Sequence, residues 1–225
     1  MEINYKDWHF NLRDEADASV FNEIFKYKEY RAADFVIKSA KYPIVDVGAH
    51  AGFFVFYCKM LGGKAKIFAL EPEPNNLKLL QKHVKANKLK GVYVISGALA
   101  GESGKRLLEI SADSHNHKLA DGEIKENSIK VQAYSLADFC RQNKIKKISL
   151  LKMDIEGGEY EVFENLKASD LNMVNFIILE YHNGKEYQQI EQKLRENGFG
   201  VQIFPSKFDR TMGFLFAKNK RFNSI

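Results

Sequence analysis

Four short apolar runs in this 225-residue chain end in acids, glycines or a histidine. Asp46 leads into Gly48-Ala49-His50-Ala51-Gly52, and Glu71 closes the run that begins at Lys66. Asp154 and Glu156 lead into Gly157-Gly158, and Glu180 and His182 close the run that begins at Phe176. Carboxylates accept hydrogen bonds from hydroxyls and pair with cations. Glycine turns let backbone amides approach a ligand. An imidazole, with an unperturbed pKa of about 6.5, moves protons at neutral pH. Binding of a polar, hydroxylated ligand and proton transfer are the chemistries this set offers.

Such residues act together only if the runs that carry them lie side by side. From Tyr42 onward, strand-length apolar runs alternate with helical patterns, the order that builds a parallel sheet with helices on both faces. The runs at 43–47, 66–70, 92–95, 148–153 and 176–179 are the predicted parallel strands. Those at 199–204 and 213–217 have no helix between them and are expected to pair antiparallel. Apolar spacing over 15–40 predicts one or two amphipathic helices. Residues 107–110 and 129–133 read as strands flanking the polar segment 111–128, a hairpin insertion carrying His115 and His117. With no repeat, linker or low-complexity tract, the expectation is one domain over 1–225. It comprises a helical flank at 1–41 and a core at 42–225, with the insertion at about 101–133.

In an open parallel sheet, ligands collect beyond the carboxyl ends of the strands, where the strand order reverses. The turn Gly48-x-x-x-Gly52 is not the Gly-x-Gly-x-x-Gly that holds a dinucleotide pyrophosphate, and no Gly-Lys-Ser/Thr follows it. NAD and nucleoside triphosphates are therefore excluded as first readings. Glu71 lies 25 positions after Asp46, near the spacing at which an acid accepts both hydroxyls of a ribose. Ribose without pyrophosphate, joined to an ammonium near Asp46, describes S-adenosylmethionine. Asp46 and Glu71 would otherwise be a helix cap and an exposed strand end.

Four stretches now carry a resemblance: Val45-Asp46-Val47-Gly48-Ala49-His50-Ala51-Gly52, Ala69-Leu70-Glu71-Pro72, Leu151-Lys152-Met153-Asp154-Ile155-Glu156-Gly157-Gly158-Glu159, and Leu179-Glu180-Tyr181-His182. The chain resembles the FkbM family of S-adenosylmethionine-dependent methyltransferases over roughly residues 43–183. The resemblance implies a Rossmann-like class I fold: a mostly parallel seven-stranded sheet whose last strand is antiparallel. It also implies a cofactor site from Asp46, Gly48, Ala49, His50, Gly52, Glu71, Pro72, Gly97, Ala98, Asp154 and Glu156, with Gly97 and Ala98 at the adenine. His182, Asp154 and Glu180 are the candidate catalytic residues, with His182 first as base. Asp154 would face the substrate or the cofactor ammonium, and Glu156 would orient its turn through the amides of Gly157 and Gly158. Asp154, Glu180 and His182 also form a donor set a divalent cation accepts, although no metal is assigned to them. Two positions depart from the family pattern: His50 replaces the usual Asn, and Ala137 replaces the first Asp of Thr-Leu-Asp-Asp.

Composition bounds the remainder. Hydrophobic residues make up 45% and charged residues 28% of the chain, as in an ordinary globular protein. The start, Met1-Glu2-Ile3-Asn4, lacks the order of a signal peptide, so the expected location is cytoplasmic. Cys58 and Cys140 fall in apolar helical patterns and read as core thiols. The net charge of +5 is small, and the cluster Arg141, Lys144, Lys146 and Lys147 reads as a solvated face. The favoured function is O-methylation of a small molecule or sugar. An RNA or tRNA methyltransferase and a non-catalytic cofactor-binding module are the alternatives, and no membrane partner is expected.

Overall fold

The computed structural model describes residues 1–111, 118–120, 127–182, 187–206 and 211–222. His115 and His117 lie outside them. Two strands open the chain, β1 (Glu2–Tyr5) and β2 (Trp8–Asn11), followed by α1 (Glu15–Asn22), a π turn and a 3-10 turn over 23–33, and α2 (Asp34–Ser39). Next come β3 (Ile44–Val47), α3 (Phe53–Met60), β4 (Ile67–Glu71), α4 (Pro74–Ala86), β5 (Val92–Ser96) and β6 (Ala98–Leu99). The insertion supplies β7 (Gly104–Glu109), β8 (Lys118–Ala120) and β9 (Ser128–Tyr134). The chain continues through α5 (Leu136–Gln142), β10 (Ile148–Met153), α6 (Glu159–Asn165), α7 (Ala168–Leu171), β11 (Val174–Tyr181), α8 (Tyr187–Glu196), β12 (Phe199–Pro205) and β13 (Gly213–Asn219).

Seven strands form one sheet in the order β12-β13-β11-β10-β3-β4-β5. The pairs β10–β11, β10–β3, β3–β4 and β4–β5 are parallel, while β13 runs antiparallel to β11 and β12. This is the expected Rossmann-like class I arrangement. Every residue of β3, β4 and β10 is buried, which explains why these runs are mostly apolar on both faces rather than alternating. The sheet separates two cores, one containing Leu136, Phe139, Phe163 and Leu194, the other Phe53, Phe56 and Leu80. Strand order reverses between β3 and β10, so the turns after these two strands open into one crevice.

Local chemistry sets where the helices begin. Glu73 accepts a hydrogen bond from Asn76 N with Pro74 in the first turn of α4, and Ser135 accepts one from Asp138 N at the start of α5; both are favoured starts. Asp138 also accepts from Ser103 Oγ, so this segment docks on the insertion although Ala137 lacks a carboxylate. Both cysteines are buried and free.

Two regions differ from the sequence expectation. The flank is not purely helical: residues 2–11 form an antiparallel hairpin. Its Phe10 is fully buried among Phe21, Phe53 and Phe56, a burial worth roughly 1.5–3 kcal/mol. A four-residue strand shows too little alternation to be told from a loop. The insertion is not a simple hairpin either. β7 pairs antiparallel with β9 as expected, but β8 adds to β7 and β6 adds parallel to β9, giving a four-stranded sheet.

Candidate active site

The turn after β3 is held against the end of β4. Ala49 N donates to Leu70 O at 3.0 Å, and His50 N donates to Glu71 Oε2 at 2.7 Å. Glu73 N occupies the other carboxylate oxygen, Oε1, at 2.9 Å. Burial pushes the Glu71 carboxyl above its ordinary pKa, against the opposing pull of these amides. Gly48 is required by space as well as by its φ of +72°, since a Cβ there would lie 1.8 Å from Asp154 O. The turns after β3 and β10 are thus in backbone contact.

Lys152 joins them from below, and sequence reasoning missed it. Its Nζ donates to Gly48 O at 2.8 Å and lies 3.2 Å from Asp46 Oδ1 and 3.7 Å from Asp154 Oδ2. Burial works to discharge this ammonium, but Asp46, Asp154 and Glu180 outweigh it and hold its pKa above the usual lysine range. Asp46 is the nearest of these acids to the ammonium. Fully buried and paired with Lys152, it is an anchor beneath the turn rather than a wall of the crevice. Only the placing of a lysine near the end of a mostly apolar run, Ile148-Ser149-Leu150-Leu151-Lys152-Met153, hints at this in the sequence.

The role expected of Glu156 belongs to another acid. Glu159 accepts from Ile155 N at 2.7 Å and Gly157 N at 2.8 Å and is fully buried, which pushes its carboxyl up to about 7. Glu156, with φ of +56°, is turned instead toward His182, its Oε2 3.6 Å from Nε2. On the other side of the ring, Glu159 Oε1 lies 3.9 Å from His182 Nδ1, and Tyr160 Oη donates to the His182 carbonyl.

These groups surround a cavity of about 330 Å³. Gly48, Ala49, His50, Glu71, Pro72, Ala98, Asp154, Glu156, Glu180 and His182 all line it. Asp46, Gly52 and Gly97 are not among the residues that line it. A Cβ at Gly52 would meet Leu80, and one at Gly97 would meet Tyr134 and Gln132 O, so these glycines serve packing. Residues outside the strand ends complete the wall: Glu23, Glu29 and Tyr30 from the flank, and Leu108 and Leu119 from the insertion. Tyr30 Oη donates to Asp154 Oδ2 at 3.3 Å.

His50 shows what its replacement of Asn does locally. Its Nε2 lies 3.2 Å from Asp17 Oδ1 and from Arg13, tying the first glycine turn to α1. Its Nδ1 is buried on the cavity side of the turn without a hydrogen-bond partner among the described residues. The Asp154, Glu180 and His182 donor atoms lie within 4.8 Å of one another. A wider groove, lined by Phe35, Phe204, Phe214 and Phe216, meets the cavity at Glu29, Glu180, Ser206 and Met212.

Comparison with known proteins agrees with this geometry. Residues 46–201 match the family described as the methyltransferase FkbM domain. Methyltransferase 1 of Beauveria bassiana is 24% identical, the alignment covering 82% of this chain and 81% of the relative. The hexuronic acid methyltransferase AglP of Haloferax volcanii is 26% identical, covering 78% and 70%. Among solved structures, precorrin-6y C5,15-methyltransferase of Geobacter metallireducens superposes with a TM-score of 0.51 at 12% identity, covering 84% of this chain and 87% of that one. A Streptococcus mutans protein of the methyltransferase class, solved with SAH, superposes at 0.53 and 9% identity, covering 84% and 97%. At such identities the structural likeness is one of fold.

Proposed function

The chain belongs to the FkbM methyltransferase family, and on that premise we propose that it transfers the methyl group of S-adenosylmethionine to a hydroxyl of a small molecule or sugar. One observation carries the cofactor assignment. Glu71 is a buried carboxylate at the end of β4 that faces the cavity, with each oxygen already oriented by one backbone amide. The lone pairs that remain suit the two hydroxyls of a ribose. The partnerless Nδ1 of His50 and the close contact of the two turns fit a ligand laid across them.

Bound there, the cofactor supplies a sulfonium-activated methyl group whose leaving group is a neutral thioether. The chain has to align the acceptor and withdraw its proton. Alignment supplies several kcal/mol of the barrier, and assisted proton removal adds about 10²- to 10⁴-fold. Asp154 and His182 are groups on the cavity wall suited to the second task, and beside them stands Glu180, whose carboxyl is pushed well above its ordinary pKa by burial and by Asp154. Among the described residues, Lys152 is the only lysine or arginine that lines the cavity, against six carboxyl groups, which supports a small acceptor over a polyanion such as RNA. The sugar substrate in the name of the Haloferax relative supports the same class.

Calorimetry with S-adenosylmethionine separates the roles. Glu71→Ala removes two charge-assisted hydrogen bonds to the ligand, about 2–4 kcal/mol or roughly 30- to 1,000-fold in affinity. His182→Ala is expected to spare affinity and to lower turnover. Equal loss of affinity in both variants would show this division to be wrong.

A further inference from the structure

The cavity wall gathers six carboxyl groups around a single ammonium. Glu23, Glu29, Glu71, Asp154, Glu156 and Glu180 face it, and Lys152 is already committed to Asp46 and Gly48 O. S-adenosylmethionine brings one net positive charge at neutral pH. Within this wall, Asp154, Glu180 and His182 present one donor atom each, all within 4.8 Å of one another. They arise from the ends of two adjacent strands: Asp154 follows β10, Glu180 lies next to last in β11 and His182 follows β11. We propose that Asp154, Glu180 and His182 bind one divalent cation, and that this cation holds the acceptor's hydroxyl oxygen beside the cofactor.

The surroundings of His182 argue for a ligand independently of the charge count. A metal-bound imidazole needs its other ring N–H directed at a carboxylate or carbonyl, which sets the tautomer and the ring plane. His182 has a carboxylate beside each nitrogen, Glu156 at 3.6 Å from Nε2 and Glu159 at 3.9 Å from Nδ1. Whichever nitrogen coordinates, the other keeps a carboxylate oxygen within 4 Å. Glu159 is itself anchored by two backbone amides, so the carboxylate near Nδ1 is a fixed one.

Two carboxylates and one imidazole suit Mg²⁺ or Mn²⁺ in an octahedral site. With bonds of about 2.0–2.2 Å, neighbouring donors of an octahedron lie roughly 3 Å apart. Three positions of the octahedron remain for the acceptor and water. A hydroxyl bound to the cation becomes more acidic and releases its proton to solvent through the open groove, leaving an oxygen lone pair aimed at the methyl group.

This inference rests on the methyltransferase reading for the acceptor's role, but the cation site is tested separately. The full chain is stripped with chelator and titrated with Mn²⁺ by electron paramagnetic resonance, while S-adenosylmethionine binding is followed by calorimetry. The expected result is one bound Mn²⁺ per chain. Glu180→Gln and His182→Ala should each weaken it by about tenfold or more, with melting curves and S-adenosylmethionine affinity close to wild type. Wild-type chain that binds S-adenosylmethionine but no Mn²⁺, or variants that bind Mn²⁺ as wild type does, would overturn the proposal. Mn²⁺ binding that depends on these residues, without S-adenosylmethionine binding, would support the cation site and overturn the cofactor reading instead.

Discussion

Lys152→Met tests the claim that a buried ion pair beneath the first turn holds the site together. Lys152 is 3% exposed and Asp46 fully buried, with Nζ 3.2 Å from Oδ1 and 2.8 Å from Gly48 O. Methionine keeps most of the side-chain volume and removes the ammonium. Asp46 is then left as a buried acid with no counter-charge, and breaking such a pair costs about 3–5 kcal/mol. Asp46→Asn alone should cost less, about 1–2 kcal/mol, because Lys152 retains Gly48 O and Asp154. The double variant replaces the charges with a neutral pair, so its cost should fall below the sum by about 1.5–3 kcal/mol. Urea denaturation of the four proteins at pH 7 and constant ionic strength gives the coupling, provided the m-values agree. Additivity within about 0.5 kcal/mol would refute the ion pair as a structural unit. A Lys152→Met cost below about 1 kcal/mol would do the same, since such a loss is ordinary for a surface substitution.

Two further outcomes follow from other contacts. Gly48→Ala places a methyl group 1.8 Å from Asp154 O at a φ of +72°; the two turns must separate, and both melting temperature and S-adenosylmethionine affinity should fall, with unchanged affinity ruling out the packed-turn geometry. Glu159 predicts a pH dependence: its carboxyl titrates at about 7 in the folded chain against 4.5 in the unfolded chain. Between those values the folded state keeps a proton that the unfolded state has released, so its contribution to stability declines as pH rises from about 4.5 to 7, by up to about 3 kcal/mol. Glu159→Gln removes this titration, and stability curves of variant and wild type that stay parallel across that window would contradict the assignment.

Much of this architecture was legible from local pattern alone. A strand buried on both faces needs a mostly apolar run without polar alternation, and β3, β10 and β11 announce themselves that way; glycine at 48 and 52 and proline at 74 mark turns and a helix start by their backbone requirements. The acids that end these runs could be assigned to one crevice because a parallel sheet puts all its carboxyl ends on one side. Spacing could not say which acid points where. Glu156 and Glu159 stand three positions apart, and only the left-handed backbone at Glu156 and the burial of α6 decide that Glu159 takes the amides while Glu156 meets His182. Lys152 was hidden for a related reason: a lysine in an apolar strand has meaning only once Asp46 is opposite it, and that register is set by the pairing of β10 with β3. The flank hairpin and the four-stranded insertion were hidden because short strands draw their stability from neighbours distant in sequence. Residue type and order determined the chemistry this chain can attempt; folding decided which carboxylates are spent on its own backbone and lysine, and which are left facing the cavity.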